Sequence, residues 1–293
     1  MMEAFQYVAP RSVEEALQIL QDRGREAKVL AGGTDLLVQM KERKLRSGLV
    51  VDIGALDPLR GIRMEQGYVC IGPLTTHWDL AHSALILEHG RALAQGASMV
   101  GSPQIRHRGT VGGNIANASP AADTLPPLVV LEAEAQVSSL SGSRWLTMES
   151  LLAGPSQTVL GPHELITAVR FPLQSQEFRS QYEKFGTRRA LSIAVASVAV
   201  AATEKEAGRL AKVRIALGSV SPTVVRAAQA EKLLEGEMLQ AGVIAQAAAL
   251  AGETCCPIDD IRGSIWYRRH LVAVLLTGIL RSWQGERQPA SRR

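Results

Sequence analysis

Residues 4–53 switch repeatedly between strand-like and helix-like hydrophobic periods, and that alternation confines the chain to folds built on parallel strands with crossover helices. The apolar run Ala4 to Val8 is predicted as a strand. Ser12 then opens a helix: Ser12 and Glu15 have capping-box spacing, Val13, Ala16, Leu17 and Leu20 share one face, and Gly24 supplies the stop. Lys28 to Ala31 reads as a second strand, breaking at Gly32-Gly33 into a helical pattern through Leu36, Leu37 and Met40. Leu49 to Ile53 follows as a third. Such a βαβαβ unit needs crossovers rather than tight turns, so its strands are expected to be parallel.

Beyond Ile62 the texture changes. IRMEQGYVCIG reads as a hairpin, a helix is expected after Thr76, and Gly96 to Asp123 is expected to be a glycine-rich, loop-rich stretch. TLPPLVVLEA resumes a helix, and AQVSSLS, SRWLTM and ELITAVRFP are strand-like runs of a mixed sheet. Pro172 and the polar QSQEF mark the expected domain boundary, giving 1–175, divided at about residue 56 into subdomains 1–56 and 57–175, and 176–293. The last domain begins strand-like and ends helical, with Leu271, Val274, Leu275 and Leu276 as a face for core or subunit contact.

Several functions are disfavoured by composition. A net charge of +4, from 32 basic against 28 acidic residues, is too small a surplus to argue for nucleic acid, and the basic tail reads as a solvated end. Aromatics at 4 % leave few stacking platforms for single strands. Cys70, Cys255 and Cys256 provide neither a disulfide framework nor the spaced thiolates of a metal cluster, so no metal is expected on this chain. With no secretory-type leader and no apolar run of spanning length, the protein is expected to be soluble and cytoplasmic. No Ser-His-Asp set emerges, and His77, His82 and His89 read as ordinary helix and surface histidines.

Two stretches carry the chemistry: VLAGGTDLL, residues 29–37, and GSPQIRHRGTVGGNIANASPAAD, residues 101–123. Each sets paired glycines beside short hydroxyl or amide side chains. A diphosphate needs donors at close range, and consecutive backbone N–H groups can reach it where no Cβ intervenes. A helix starting near Thr34 would turn its N-terminal donors toward the same loop. At roughly 1.5–3 kcal/mol for each charge-assisted hydrogen bond, four or five could hold a dinucleotide without lysine. Asn117, Ser119 and Asp123 cluster just after TVGGN, although turn-making and capping are the usual work of such residues. Asp52 stands where a Rossmann site would place its ribose-binding acid, but the glycine spacing does not match, so a different dinucleotide fold is preferred.

AGGTDL together with IRHRGTVGGNIANASPAAD resembles the FAD-binding subunits of the molybdenum hydroxylases, a group that includes the medium subunit of aerobic carbon monoxide dehydrogenase and the FAD domain of xanthine dehydrogenase. GPLTTHWDLA, HELITAVRFP and IDDIRGSIWYRRHL resemble further landmarks of that family in the same order. The resemblance implies an α+β chain of the vanillyl-alcohol-oxidase (PCMH-type) FAD-binding fold, two α/β subdomains around the cofactor, with a C-terminal antiparallel sheet plus helices. It implies non-covalent FAD, held by Val29, Leu30, Ala31, Gly32, Gly33, Thr34, Asp35 and Leu36 on one side of the diphosphate and by Thr110, Val111, Gly112, Gly113 and Asn114 on the other. Asn117 and Ser119 join the second group; Val100 and Ile166 are implied apolar contacts, Asp123 an acid bonded to a cofactor hydroxyl, and Lys184 an amine near the cofactor.

By the same resemblance the chain is an oxidoreductase subunit in which redox chemistry resides on FAD and no side chain is catalytic. A 2Fe–2S small subunit and a molybdenum-cofactor large subunit are the implied partners, in a dimer of heterotrimers, with NAD, quinone or another carrier as final acceptor. Arg106, His107 and Arg108 could face the flavin, a partner or solvent. Two rivals remain at this stage: a stand-alone flavin oxidase of the same fold, and an assembly subunit without cofactor.

Overall fold

A computed structural model describes residues 3–188 and 191–285. The basic tail anticipated above lies mostly beyond position 285, outside them.

The N-terminal unit contains β1 (Gln6–Val8), α1 (Val13–Arg23), β2 (Ala27–Leu30), α2 (Leu36–Lys41) and β3 (Leu49–Asp52). Its strands form a parallel sheet in the order β1-β3-β2, as the alternation predicts. Ser12 caps α1 by accepting from the Glu15 amide at 3.1 Å, and Gly24 ends it at φ +49°. The Glu15 carboxylate, however, accepts from the Arg11 amide at 2.7 Å, so the reciprocal bond lands one residue earlier than a capping box requires. Ala16, Leu17 and Leu20 bury against Leu49, Val51 and Ile53, making a small core of its own.

The hairpin β4 (Ile62–Glu65) and β5 (Tyr68–Ile71) follows, then a helical run: α3 (His77–His82), α4 (Ala84–His89), α5 (Arg91–Ser98), α6 (Pro103–Arg108), α7 (Val111–Asn117) and α8 (Leu125–Val130). The chain continues through β6 (Glu134–Ser139), β7 (Gly142–Thr147), α9 (Met148–Leu151), the short pair β8 (Leu152–Gly154) and β9 (Gln157–Thr158), and β10 (Leu165–Pro172). The second sheet is antiparallel throughout, in the order β4-β5-β10-β6-β7.

The expected loop-rich stretch from Gly96 to Asp123 is corrected here, because much of it is helix. Ser102 and Thr110 cap α6 and α7 through their hydroxyls, and the glycines are spaces for packing rather than breaks. A Cβ on Gly96 would strike the Asp123 carbonyl, and one on Gly112 would come within 2.5 Å of Pro73 Cβ. Sequence periodicity cannot separate a glycine that ends a helix from one that admits a neighbour.

A third sheet, also antiparallel, runs β11 (Phe178–Gly186), β12 (Ala194–Glu204), β13 (Leu210–Gly218) and β14 (Val225–Arg226). Its faces divide by period two. Tyr182, Ala199, Ala201 and Ala216 join the core beneath α5 and α8, while Val198, Val200, Ile215 and Leu217 pack on α10 (Ala228–Leu234), α11 (Ala241–Thr254) and α12 (Ile265–Gly285). Small residues on the first face let the sheet sit close to α8. Leu271 and Leu276 of α12 are buried and Leu275 packs at the edge, whereas Val274 turns outward, half exposed.

Candidate cofactor site

A cavity of about 680 Å³ opens where the parallel sheet meets α6, α7 and the strand β10. Val29, Ala31, Gly32, Gly33, Thr34, Asp35 and Leu36 contribute the loop between β2 and α2. Val100, Thr110, Gly112, Gly113, Asn114, Asn117, Ser119 and Asp123 contribute the helical segment, and Ile166 contributes from β10. Residues 78 and 82 positions apart in the chain are thereby brought to one surface: Gln39 Nε2 donates to Asn117 Oδ1 at 3.5 Å, and Asn117 Nδ2 donates to Asp35 Oδ1 at 3.2 Å.

The two glycine pairs do different things. Among the described residues, the backbone amides of Gly32 to Leu36 donate to no protein acceptor, and they lie along the cavity. They form a row of unspent donors, the arrangement that receives an anion. On the other loop the donors are spent: the Val111 amide goes to Thr75 O at 3.0 Å, Gly112 to Pro73 O at 2.9 Å, Gly113 to Thr110 Oγ1 at 3.2 Å and Asn114 to Thr110 O at 2.9 Å. The expectation of a second backbone nest is therefore corrected. What this loop can still offer is side chain: Asn114 Oδ1 accepts from the Thr124 hydroxyl at 2.6 Å, leaving its amide N–H groups for a ligand. The helix expected near Thr34 is α2, which begins at Leu36 with Asp35 at its N-cap.

Leu30, Val111 and Lys184 do not reach the cavity lining. Leu30 is the last residue of β2 and packs a methyl group against Gly33. Val111 is fully buried in the core with Ile115. Lys184 is an internal staple: its ammonium donates to Asp123 Oδ2 at 2.7 Å, Met99 O at 2.8 Å and Ser192 O at 3.1 Å, which uses all three N–H groups.

Asp123 also accepts from the Tyr182 hydroxyl at 2.8 Å. Burial pushes the Asp123 carboxyl above its usual range, with Lys184 and the Tyr182 hydroxyl pulling the other way, and burial likewise raises the Tyr182 hydroxyl. The cluster joins α8's approach, β11 and the segment 191–193, so Asp123 holds its place in the cavity wall through partners far along the chain. Asp35, partly buried, has its carboxyl raised mainly by desolvation.

Arg106 Nη1 donates to Val100 O and Gly101 O at 3.0 and 3.3 Å, His107 stacks on Trp78 at 4.3 Å, and the Arg108 carbonyl lies against Gly32. His82 is exposed and stacks on the same indole at 4.0 Å. His77 departs from its expected role: it is 2 % exposed and lines the cavity. Sequence reasoning also missed Pro73, Gly109, Leu160 to Pro162 and Leu191 to Ile193. Gly109 and the Gly161-Pro162 turn carried a signal, the usual marks of tight backbone; nothing in the sequence sets Leu191 to Ile193 apart.

Free amides on one loop, amide side chains on the other and a long cavity between them fit an elongated, anionic, hydrogen-bonding ligand such as a flavin dinucleotide. Among the described residues no group of three or more His, Cys, Asp or Glu side chains could hold a metal ion.

Residues 3–174 match the family model described as the FAD binding domain in molybdopterin dehydrogenase, and residues 180–283 that of the CO dehydrogenase flavoprotein C-terminal domain. The carbon monoxide dehydrogenase medium chain of Hydrogenophaga pseudoflava is 34 % identical over 264 residues, covering 90 % of this chain and 91 % of that one. The xanthine dehydrogenase FAD-binding subunit of Escherichia coli O157:H7 is 30 % identical over 282 residues, 96 % of both. Among solved structures, carbon monoxide dehydrogenase from Hydrogenophaga pseudoflava superposes with a TM-score of 0.93 at 33 % identity, covering 97 % of this chain and 99 % of that one.

Proposed function

The chain belongs to the family of FAD-binding subunits of molybdopterin dehydrogenases; as an oxidoreductase subunit of that family, we propose, it collects electrons on FAD within a multi-chain molybdenum hydroxylase. Substrate oxidation is assigned to a molybdenum-bearing partner and the electron relay to a 2Fe–2S partner, in a dimer of heterotrimers that delivers electrons to NAD, a quinone or another acceptor. Bound FAD supplies the means to accept single electrons and release a pair. This chain's part is to hold and orient it.

The observation that carries the reading is the row of unspent amides from Gly32 to Leu36 facing the Asn114 side chain across one cavity. Those amides receive the diphosphate, Asn114 and Asn117 add side-chain donors, and Val100 and Ile166 supply apolar contact. Asp123, fixed by Lys184 and Tyr182, presents a carboxylate for a cofactor hydroxyl. A cytoplasmic location belongs to the same reading; among the described residues no helix is long and apolar enough to cross a membrane.

The iron–sulfur partner is assigned to exposed apolar side chains of the C-terminal domain. Ile261 is fully exposed and Trp266 is 71 % exposed, Tyr267 meets Phe185 edge-on at 6.0 Å, and exposed Leu191 and Ile193 border the cavity. Exposed apolar side chains, two of them at the cavity rim, support a protein that must bring its cluster close.

The test is anaerobic: the FAD-loaded full chain is mixed with reduced 2Fe–2S partner, and flavin bleaching is followed by absorbance. The proposal expects bleaching only when the partner is present. Turnover of an alcohol by the isolated chain with dioxygen would favour the stand-alone oxidase instead.

A further inference from the structure

We propose that Glu164 is a positioning residue of the cavity wall: gripped by Arg144 from the sheet edge, its carboxylate fixes the turn against which bound FAD packs. This role rests on the FAD reading but belongs to an ion pair outside the two glycine loops. Leu160, Gly161, Pro162, Leu165 and Ile166 line the cavity together with Glu164. Residues 160–164 of that stretch lie between β9 and β10, outside any strand, so no sheet ladder holds them. The turn is closed on itself instead. The Glu164 amide donates to Gly161 O at 3.1 Å, and the Gly161 amide donates back to Glu164 Oε2 at 2.8 Å.

Arg144 supplies the other half of the grip. It sits on β7, the edge strand of the second sheet, and both terminal guanidinium nitrogens donate to the Glu164 carboxylate, Nη2 to Oε2 at 3.0 Å. A forked pair of this kind fixes direction as well as distance. The hydrogen bond from Arg144 holds the Glu164 carboxyl below its usual range, so at neutral pH it is a carboxylate that accepts from Arg144 and Gly161 together. The two partners differ in setting: the Glu164 side chain is 8 % exposed and that of Arg144 48 %. Arg144 does not line the cavity. It therefore reaches the cofactor through Glu164 and the turn.

The test compares Arg144→Met, Glu164→Gln, Glu164→Leu and the double variant Arg144→Met/Glu164→Leu in the full chain. It reads FAD affinity by fluorescence titration, the visible circular dichroism of the flavin at saturating FAD, and the Tm of the flavin-free chain by calorimetry. Arg144→Met is expected to bind FAD about tenfold more weakly, the effect of one charge-assisted hydrogen bond, with the flavin-free Tm unmoved because a half-exposed ion pair adds little to the fold. Glu164→Leu should lose at least as much and share the altered dichroism of Arg144→Met. Glu164→Gln, which keeps an acceptor for the Gly161 amide, should recover most of the affinity. The double variant should match Glu164→Leu alone, since the arginine acts through the carboxylate. Arg144→Met with unaltered affinity and dichroism overturns the proposal, as do losses that add in the double variant or that follow a falling flavin-free Tm. Failure of the unaltered chain to bind FAD would overturn the functional reading, and this proposal with it.

Discussion

A Cβ on Gly32 would fall inside the carbonyl oxygen of Arg108, so the loop after β2 meets the end of α6 backbone to backbone. That contact brings the free amides of residues 32–36 into range of the helical segment, and it can be made by glycine alone. Gly32→Ala is therefore expected to lose most of its bound FAD, measured as the ratio of flavin to protein absorbance. Gly113→Ala, whose added methyl meets only the Thr110 hydroxyl at 3.0 Å, is expected to keep most of it. Equal loss in both would remove the backbone contact as the cause.

Asp123 and Lys184 form a pair whose side chains are about nine-tenths buried. Removing one partner strands a charge, so Asp123→Ala and Lys184→Met should each destabilise the chain by about 3 kcal/mol. Because either change already breaks the pair, the double variant is expected to cost less than the sum, by urea unfolding. Strict additivity would show that the pair is not coupled.

Acid stability should report His77. Above 6.5 the imidazole is neutral in both folded and unfolded chains and contributes no pH dependence. Between 6.5 and about 4 the unfolded chain takes up a proton that the folded chain refuses, so stability falls as pH falls, by on the order of 3 kcal/mol in total. Asp123 has the opposite sign: its raised carboxyl favours the fold most at low pH, and that contribution fades as pH rises above 3.8. Chemical unfolding of His77→Leu across this window should show the fall reduced, and an unaltered fall would mean the imidazole titrates freely.

Trp266→Asp and Ile261→Asp place charges on the exposed apolar side chains of the C-terminal domain. Both variants should retain FAD and normal Tm, since neither side chain is in the core, while co-purification with the iron–sulfur partner should drop at least tenfold, as expected for a buried aromatic anchor. Full assembly would locate the partner elsewhere.

The parallel N-terminal unit was legible in the sequence because its two periods differ and Ser12 and Gly24 punctuate them. The first glycine loop was legible for a similar reason: a strand, a Gly-Gly break and a helix leave few conformations for Gly32 and Gly33. The second was misread in mechanism. TVGGN suggests open amides, but Thr75 and Pro73, distant in sequence, take those of Val111 and Gly112, and such tertiary hydrogen bonds leave no local trace, while Thr110 takes those of Gly113 and Asn114 as a helix cap. Lys184 and His77 were hidden likewise, since a lysine that spends every proton internally and a histidine buried in a cavity wall look like any others in a string of letters.

The most direct test is a crystal structure of the full chain with FAD. The account expects diphosphate oxygens about 3 Å from the amides of residues 32–36. A diphosphate bound elsewhere in the cavity, with those amides facing water, would contradict it.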